Sequence, residues 1–389
     1  MDPIAIAGLG VSIVVGAITA RLAMRPNAEV RIKSNIQKFL RNYRYFKANE
    51  TDLGYDAYRR LTNYRHPNLP MLAKEGWIPS APIPIHEISL VMHDASESYR
   101  FPVPEIAKLS GLSLAGKVTY SQAVTEFAGM SHFHDGVIYR TVGIDFSEDS
   151  KTIEFSRGYY FEHLDTNEVL AYSAVARTNR RYRARLKDPF DLRNRVAGLG
   201  ILTLTVYEKK PGEFAFLMHK RSDKVVIGAG MFHPVPAGEF TPSDVSLESF
   251  ERDFDLRRNI DREFAEELLG DPDAQGAGGF QIDYVNARPY KELRESMKAG
   301  DLSYHCLGIG MDPFTWKLEL LTIAIFRSDS FQWVFGDGKL PGNLEGTIIQ
   351  DNRFNEKVID QYVHSGSIRL GAVTTLRLAW MHRGLLRIG

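Results

Sequence analysis

The chain has 389 residues, enough for two or three domains. Lysine plus arginine, 48, equals aspartate plus glutamate, 48, so net charge names no polyanionic partner, and no direct nucleic-acid partner is expected. Its one cysteine, Cys306, excludes a disulfide framework and all but excludes a cysteine-based zinc site.

The chain opens with "PIAIAGLGVSIVVGAITA", residues 3–20, which carries no charge. That is near the length that spans a bilayer, about 20 residues. Only Met1 and Asp2 precede it, so the expectation over 1–25 is an uncleaved transmembrane helix rather than a secretory signal. Arg21, Arg25, Arg31, Lys33, Lys38 and Arg41 make the following flank basic. A single-pass membrane protein with its C-terminal bulk in the cytoplasm is then predicted. Gly8, Ser12, Gly16 and Ala20 recur every four residues, a stripe through which two copies could pair as a homo-oligomer.

Residues 26–190 read as a juxtamembrane helix followed by an N-terminal α+β region. Over 29–48, Ile32, Ile36, Phe39 and Leu40 share one helical face, with basic residues elsewhere. Such a helix suits anionic membrane lipid, and equally a cover for the next domain. "EISLVMH", "GVIYRTVGIDF", "TIEFSRGYYF" and "EVLAYSAVA" are strand-like, rich in β-branched and aromatic residues. "VPEIAKLSGL" and "YSQAVTEFAG" predict short helices. "HFHD", with His132, His134 and Asp135, puts the two histidines on one face of a strand, but no third ligand for that face stands nearby, so a polar turn is expected. The basic run 179–195 reads as a solvated connector rather than a phosphate site.

Residues 195–335 form the next unit. "LGILTLTVYEK" and "EFAFLMHKRS" predict a hairpin turned by "KPGE". A Pro/Gly loop, "GMFHPVPAGEF", follows. "YHCLGIGMDPFTWKLELLTIAIF", 304–326, predicts two strands around "DPFT". His219, His233 and Cys306 read as local packing or surface residues. Residues 336–389 are a C-terminal extension with two predicted helices.

Between these strands, "LRRNIDREFAEELL", 256–269, predicts a helix with Asp255 as N-cap and Gly270 as its stop. At about 100° per residue, Glu263, Glu266 and Glu267 share one arc. Ile260, Phe264, Ala265, Leu268 and Leu269 lie opposite. Like charges at this spacing destabilise a helix by a few tenths of a kcal/mol per pair. A solvated face accepts that, and a hard divalent cation would relieve it.

Arg262-Glu263-Phe264-Ala265-Glu266-Glu267, preceded by "PVPAGEF", resembles the second half and the opening of the Nudix hydrolase signature, over about 195–335. The interval from Gly238 to Arg262 is ten residues longer than the family spacing, leaving Glu251 and Glu248 as candidates for the first signature glutamate. The closing glycine also comes one residue late. The resemblance implies an α+β fold: a Nudix-like α/β/α sandwich with a mixed sheet, preceded here by the transmembrane helix and the additional α+β region. It implies that Glu263, Glu266 and Glu267 hold Mg²⁺ or Mn²⁺ or activate water. Arg262 would orient a glutamate through a salt bridge. The Gly238 carbonyl and Glu319 would be further metal ligands. The implied activity is metal-dependent hydrolysis of a nucleoside-diphosphate-linked small molecule. The alternative it leaves open is a non-catalytic nucleotide sensor or effector in bacterial signalling or phage defence.

Overall fold

The computed structural model describes residues 26–93, 100–130, 134–178, 186, 188–222, 230–271, 281–338, 340 and 346–389. Helix α1 (Pro26–Ala48) leads into α2 (Glu50–Arg60). Phe39, Tyr43 and Phe46, one helical face, are buried, with Ile36 and Leu40 packed beside them. Phe39 meets Tyr172 and Tyr120, so this helix covers the N-terminal region, and its apolar face is not left for lipid. Burying each such ring contributes roughly 1.5–3 kcal/mol.

Among the described residues no helix is long and apolar enough to cross a membrane. This corrects the expected transmembrane helix, and with it the single-pass membrane placement. The first described helix is interrupted by Arg31, Lys33, Lys38 and Arg41 and spends its apolar face on the protein's own core. The stretch 3–20 and its small-residue stripe lie outside the described residues.

Strand β1 (Ile83–Pro84) belongs to the large sheet. β2 (Ser89–Met92) belongs to a smaller one. β3 (Lys108–Ser113) and β4 (Gly116–Thr119) form a hairpin leading into α3 (Tyr120–Phe127), which Thr119 and Gln122 close with a capping box. β5 (Val137–Asp145) and β6 (Thr152–Tyr159) pair antiparallel, and β2 adds parallel to β6. "VPEIAKLSGL", expected to be helical, is a short 3₁₀ turn followed by β3. "EVLAYSAVA", expected as a strand, is instead helix. Val169 to Ser173 are all buried, so neither a period of two nor one of 3.6 is visible there.

That helix has three parts: α4 (Tyr160–His163), a π-helical turn over Leu164–Glu168, and α5 (Val169–Ala176). The wide turn lets successive polar side chains all face inward. Asp165 accepts from Ser121 N–H and Oγ. Thr166 Oγ1 accepts from Val196 N–H. Asn167 donates to the Thr315 carbonyl and accepts from Arg195 Nε. Arg195, the last residue of the basic run, is fully buried and also donates to the Pro189 and Asp191 carbonyls. It is a structural clasp rather than part of a solvated connector.

The large sheet contains β7 (Leu199–Lys210), β8 (Glu213–Arg221), β9 (Phe232–Pro234), β10 (Ala237–Glu239), β11 (Leu302–Met311), β12 (Leu318–Phe326) and β13 (Gly346–Arg353). Its order is β1-β11-β12-β7-β8-β13, with β10 on β7 and β9 on β8. β7 and β12 run parallel and the other pairs antiparallel. Both faces are covered, so the central strands are apolar almost throughout. Leu199, Ile201, Leu318 and Leu320 point to one core, with α7 (Leu256–Leu269), which follows the short α6 (Leu247–Arg252), and with α8 (Tyr290–Ala299) and α9 (Ser330–Phe335). Leu202, Leu204, Leu321 and Ile323 point to the other, with α10 (Glu356–Val363) and α11 (Leu370–Met381). The chain is thus a mixed α+β protein built on a large sheet. A last turn, α12 (Arg383–Leu386), ends it.

Candidate functional site

Helix α7 forms where its caps put it. Asp255 accepts from Arg258 N–H, and Gly270 ends the helix with φ 69°. Ile260, Phe264, Ala265 and Leu268 are buried, whereas Leu269 is exposed rather than part of the core. Glu263, Glu266 and Glu267 are half-buried. A β-carbon on Gly238 would land on the Glu263 carboxylate, so a larger residue at 238 requires the Glu263 side chain to move.

Arg262 is buried, 3% exposed. Its Nη2 donates to the Thr241 carbonyl and to Asn259 Oδ1, and its Nη1 lies 3.7 Å from Asp253 Oδ2. The guanidinium therefore clamps the 241–253 insertion onto α7. Asp253 is itself buried, accepting from Ser243 N–H, Arg252 Nε and Tyr284 Oη. Sequence spacing offered Glu248 and Glu251 for the acidic position before the helix. Both are exposed, whereas Asp253 is a buried carboxylate beside Arg262, which, against the pull of burial, the Glu263 and Asp253 charges hold above its ordinary range. Only its nearness in sequence to Arg262 could have marked it.

A second row of chemistry crosses the sheet. Glu239 of β10 and Glu319 of β12 are both register partners of Gly200, one from each side. The Lys317 side chain runs over Gly200, where a β-carbon would be 3.2 Å from its Cε, and its ammonium pairs with Glu239. Two adjoining cavities of about 180 Å³ each share Glu239, Lys317, Glu319 and Arg369. Gly238 lines the second. The first is completed by the N-terminal region, through Lys47, Glu50, His163 and Glu168. Glu263, Glu266, Glu267 and Arg262 line neither, so of the sequence-derived residues Gly238 and Glu319 meet there and the helix set stands apart.

The cavities are a charged interior. Lys47 pairs with Glu168 at 2.6 Å, and Arg369 with Glu50 at 2.8 Å. Burial alone would raise the Glu50 carboxyl, but Arg369, Lys47 and Lys317 together hold it below its ordinary range. Burial likewise opposes Glu239, whose carboxyl Lys317 and His163 pull down. Glu319 behaves oppositely: burial pushes it up to about 7 against the pull of Lys317 and Arg369. Its Oε2 is buried with no hydrogen-bond partner, packed against Gly371 at the start of α11. Asp312 is also raised by burial, but its Oδ1 is committed to the turn, accepting from Phe314 N–H, Thr315 N–H and Thr315 Oγ1. Burial lowers the pKa of His163, and its Nδ1 lies 2.9 Å from the Val196 carbonyl.

Five carboxylates thus face three permanent cations in the first cavity, and Glu319 keeps an unused oxygen. That donor set suits a hard divalent cation. Among the described residues no three His, Cys, Asp or Glu side chains gather closely enough to hold an ion by themselves. Mg²⁺ commonly takes one or two carboxylates and completes its shell with substrate phosphates and water, and the residues here fit that kind of site rather than an all-protein cage.

The remaining sequence candidates are structural. Asp135 accepts from Arg100 Nη1 and Phe161 N–H, His134 is exposed, and His132 lies outside the described residues. His219 and His233 are buried, joined Nδ1 to Nε2 at 2.8 Å. Cys306 is buried, its thiol pushed up to about 12 by burial, so it is no nucleophile. No protein-family profile matches the chain, and no curated protein matches it either.

Proposed function

We propose that this protein is a Nudix-like hydrolase of a nucleoside-diphosphate-linked substrate, working with Mg²⁺ or Mn²⁺ in the paired cavities. The observation that carries the reading is the unused, buried Glu319 oxygen in a cavity with more carboxylates than cations. Glu319 and Glu239 would hold the ion, with substrate phosphates completing its shell. When bound, the ion neutralises diphosphate oxygens and lowers the pKa of a water. Glu239, held below its ordinary range by Lys317, would take the proton of the attacking water as the bridging P–O bond breaks and the released phosphate leaves as an anion. Glu263 lies against Gly238, the neighbour of Glu239 on β10. Glu266 and Glu267 remain outside the cavities.

The test is a panel of nucleoside-diphosphate sugars and dinucleotides on the full chain, with Mg²⁺, Mn²⁺ or a chelator. Metal-dependent turnover that Glu319→Gln lowers by about 10²–10⁴ supports the reading. A second reading, a nucleotide sensor without turnover, is favoured by one observation: Lys317 and Arg369 already neutralise Glu239 and Glu50 from within. It predicts ligand-raised melting temperature with no product formed on the same panel.

A further inference from the structure

Three cations enter the first cavity from three distant parts of the chain. Lys47 ends α1, Lys317 precedes β12, and Arg369 precedes α11. Each side chain donates to one carboxylate: Lys47 to Glu168, Lys317 to Glu239 and Arg369 to Glu50. An ammonium has three donors and a guanidinium five. Each therefore has N–H groups beyond the one in its ion pair, and all three residues line the cavity. Glu168 is held separately by Tyr120, whose Oη donates to its other oxygen at 2.8 Å, so it stays in place when Lys47 turns. Glu50 lines the same cavity as all three cations.

Buried ion pairs of this kind add little to stability, because desolvation offsets the attraction. Three of them around one cavity form a reservoir of donors, and a diphosphate is a group with acceptors only. Leu370 and Gly371, the first turn of the 12-residue α11, line the same wall and add the positive end of a helix.

We infer that Lys47, Lys317 and Arg369 form a diphosphate clamp, so that the N-terminal region is half of the ligand site rather than a separate module. The ligand enters as its divalent-cation complex, the ion meeting Glu239 and Glu319 while the three cations meet the phosphate oxygens. The inference takes the diphosphate class from the reading above but does not need turnover.

The probe is inorganic pyrophosphate with Mg²⁺, titrated calorimetrically into the full chain. Wild type is expected to bind, and to bind more weakly without Mg²⁺. The double variant Lys47→Met with Glu168→Gln removes both charges and leaves none orphaned, while the new amide oxygen still accepts from Tyr120. It should weaken binding about 10- to 100-fold. Arg369→Gln with Glu50→Gln should do the same and serves if the first variant does not fold. No binding to wild type, or unchanged affinity in a folded double variant, overturns the clamp. Binding that depends on Lys47 without turnover of any substrate removes the hydrolase and leaves the clamp. Turnover indifferent to Lys47 does the reverse.

Discussion

Glu239 and Glu319 face each other across Gly200, one on the strand antiparallel to β7 and one on the strand parallel to it. Lys317 spans the gap and pairs with Glu239. Two like residues in one row of a sheet therefore carry opposite protonation preferences.

That asymmetry predicts a pH signature in stability. The Glu319 carboxyl moves from 4.5 to about 7 on folding, so between those values the folded state binds a proton that the unfolded state has released. Its contribution is fully present below pH 4.5 and lost as pH rises towards 7. Melting temperature measured from pH 4.5 to 8 should fall more steeply in wild type than in Glu319→Gln. Parallel curves would show that Glu319 is ionised throughout. Asp165 and Asp261, each raised to about 6 by burial, titrate in both proteins and cancel in the comparison.

Gly238 and Glu263 should be energetically coupled. Gly238→Ala puts a β-carbon on the Glu263 carboxylate, the end of a flexible side chain that can turn aside, and is expected to destabilise by no more than about 1 kcal/mol. In Gly238→Ala with Glu263→Ala most of that loss should return, and the non-additivity is read by a denaturant double-mutant cycle. Simple additivity would mean the helix moves aside freely.

Phe264 is fully buried against Phe326 and Phe335. Phe264→Ala should cost about 3–5 kcal/mol by urea unfolding. Leu269→Ala, at an exposed position of the same helix, should change stability by no more than about 0.5 kcal/mol. Equal effects would contradict the packing of α7.

Arg195 supplies the test of the π-turn clasp. Arg195→Met leaves the Pro189 and Asp191 carbonyls and Asn167 without their donor. A loss of about 3 kcal/mol or more is expected, and Lys should rescue little because it lacks the fork. A wild-type melting curve for Arg195→Lys would refute this.

Metal alone should do little. With no three protein ligands gathered among the described residues, Mn²⁺ without ligand is expected to shift melting temperature only slightly. Mn²⁺ with pyrophosphate at about 100 times its Kd should add about 2.7 kcal/mol. A large shift with metal alone would indicate an all-protein cage, the arrangement expected from Glu263, Glu266 and Glu267.

What the sequence by itself determined is local. Helix 256–269, its Asp255 cap and its Gly270 stop follow from near neighbours, and so do the hairpins turned at Gly212 and at Asp312–Thr315. Period and turn chemistry act over a few residues and can be read one stretch at a time. The sequence also marked Gly238 and Glu319, but as partners of the helix glutamates rather than of Glu239 and Lys317. Only the tertiary structure decided which charges share a cavity. Strand pairing sets Glu239 and Glu319 on either side of Gly200, and packing joins Arg369 to Glu50 across 319 residues of chain. No periodicity records such meetings. A buried ion pair has no signature in composition, since each partner reads alone as an ordinary surface charge until the fold removes its water.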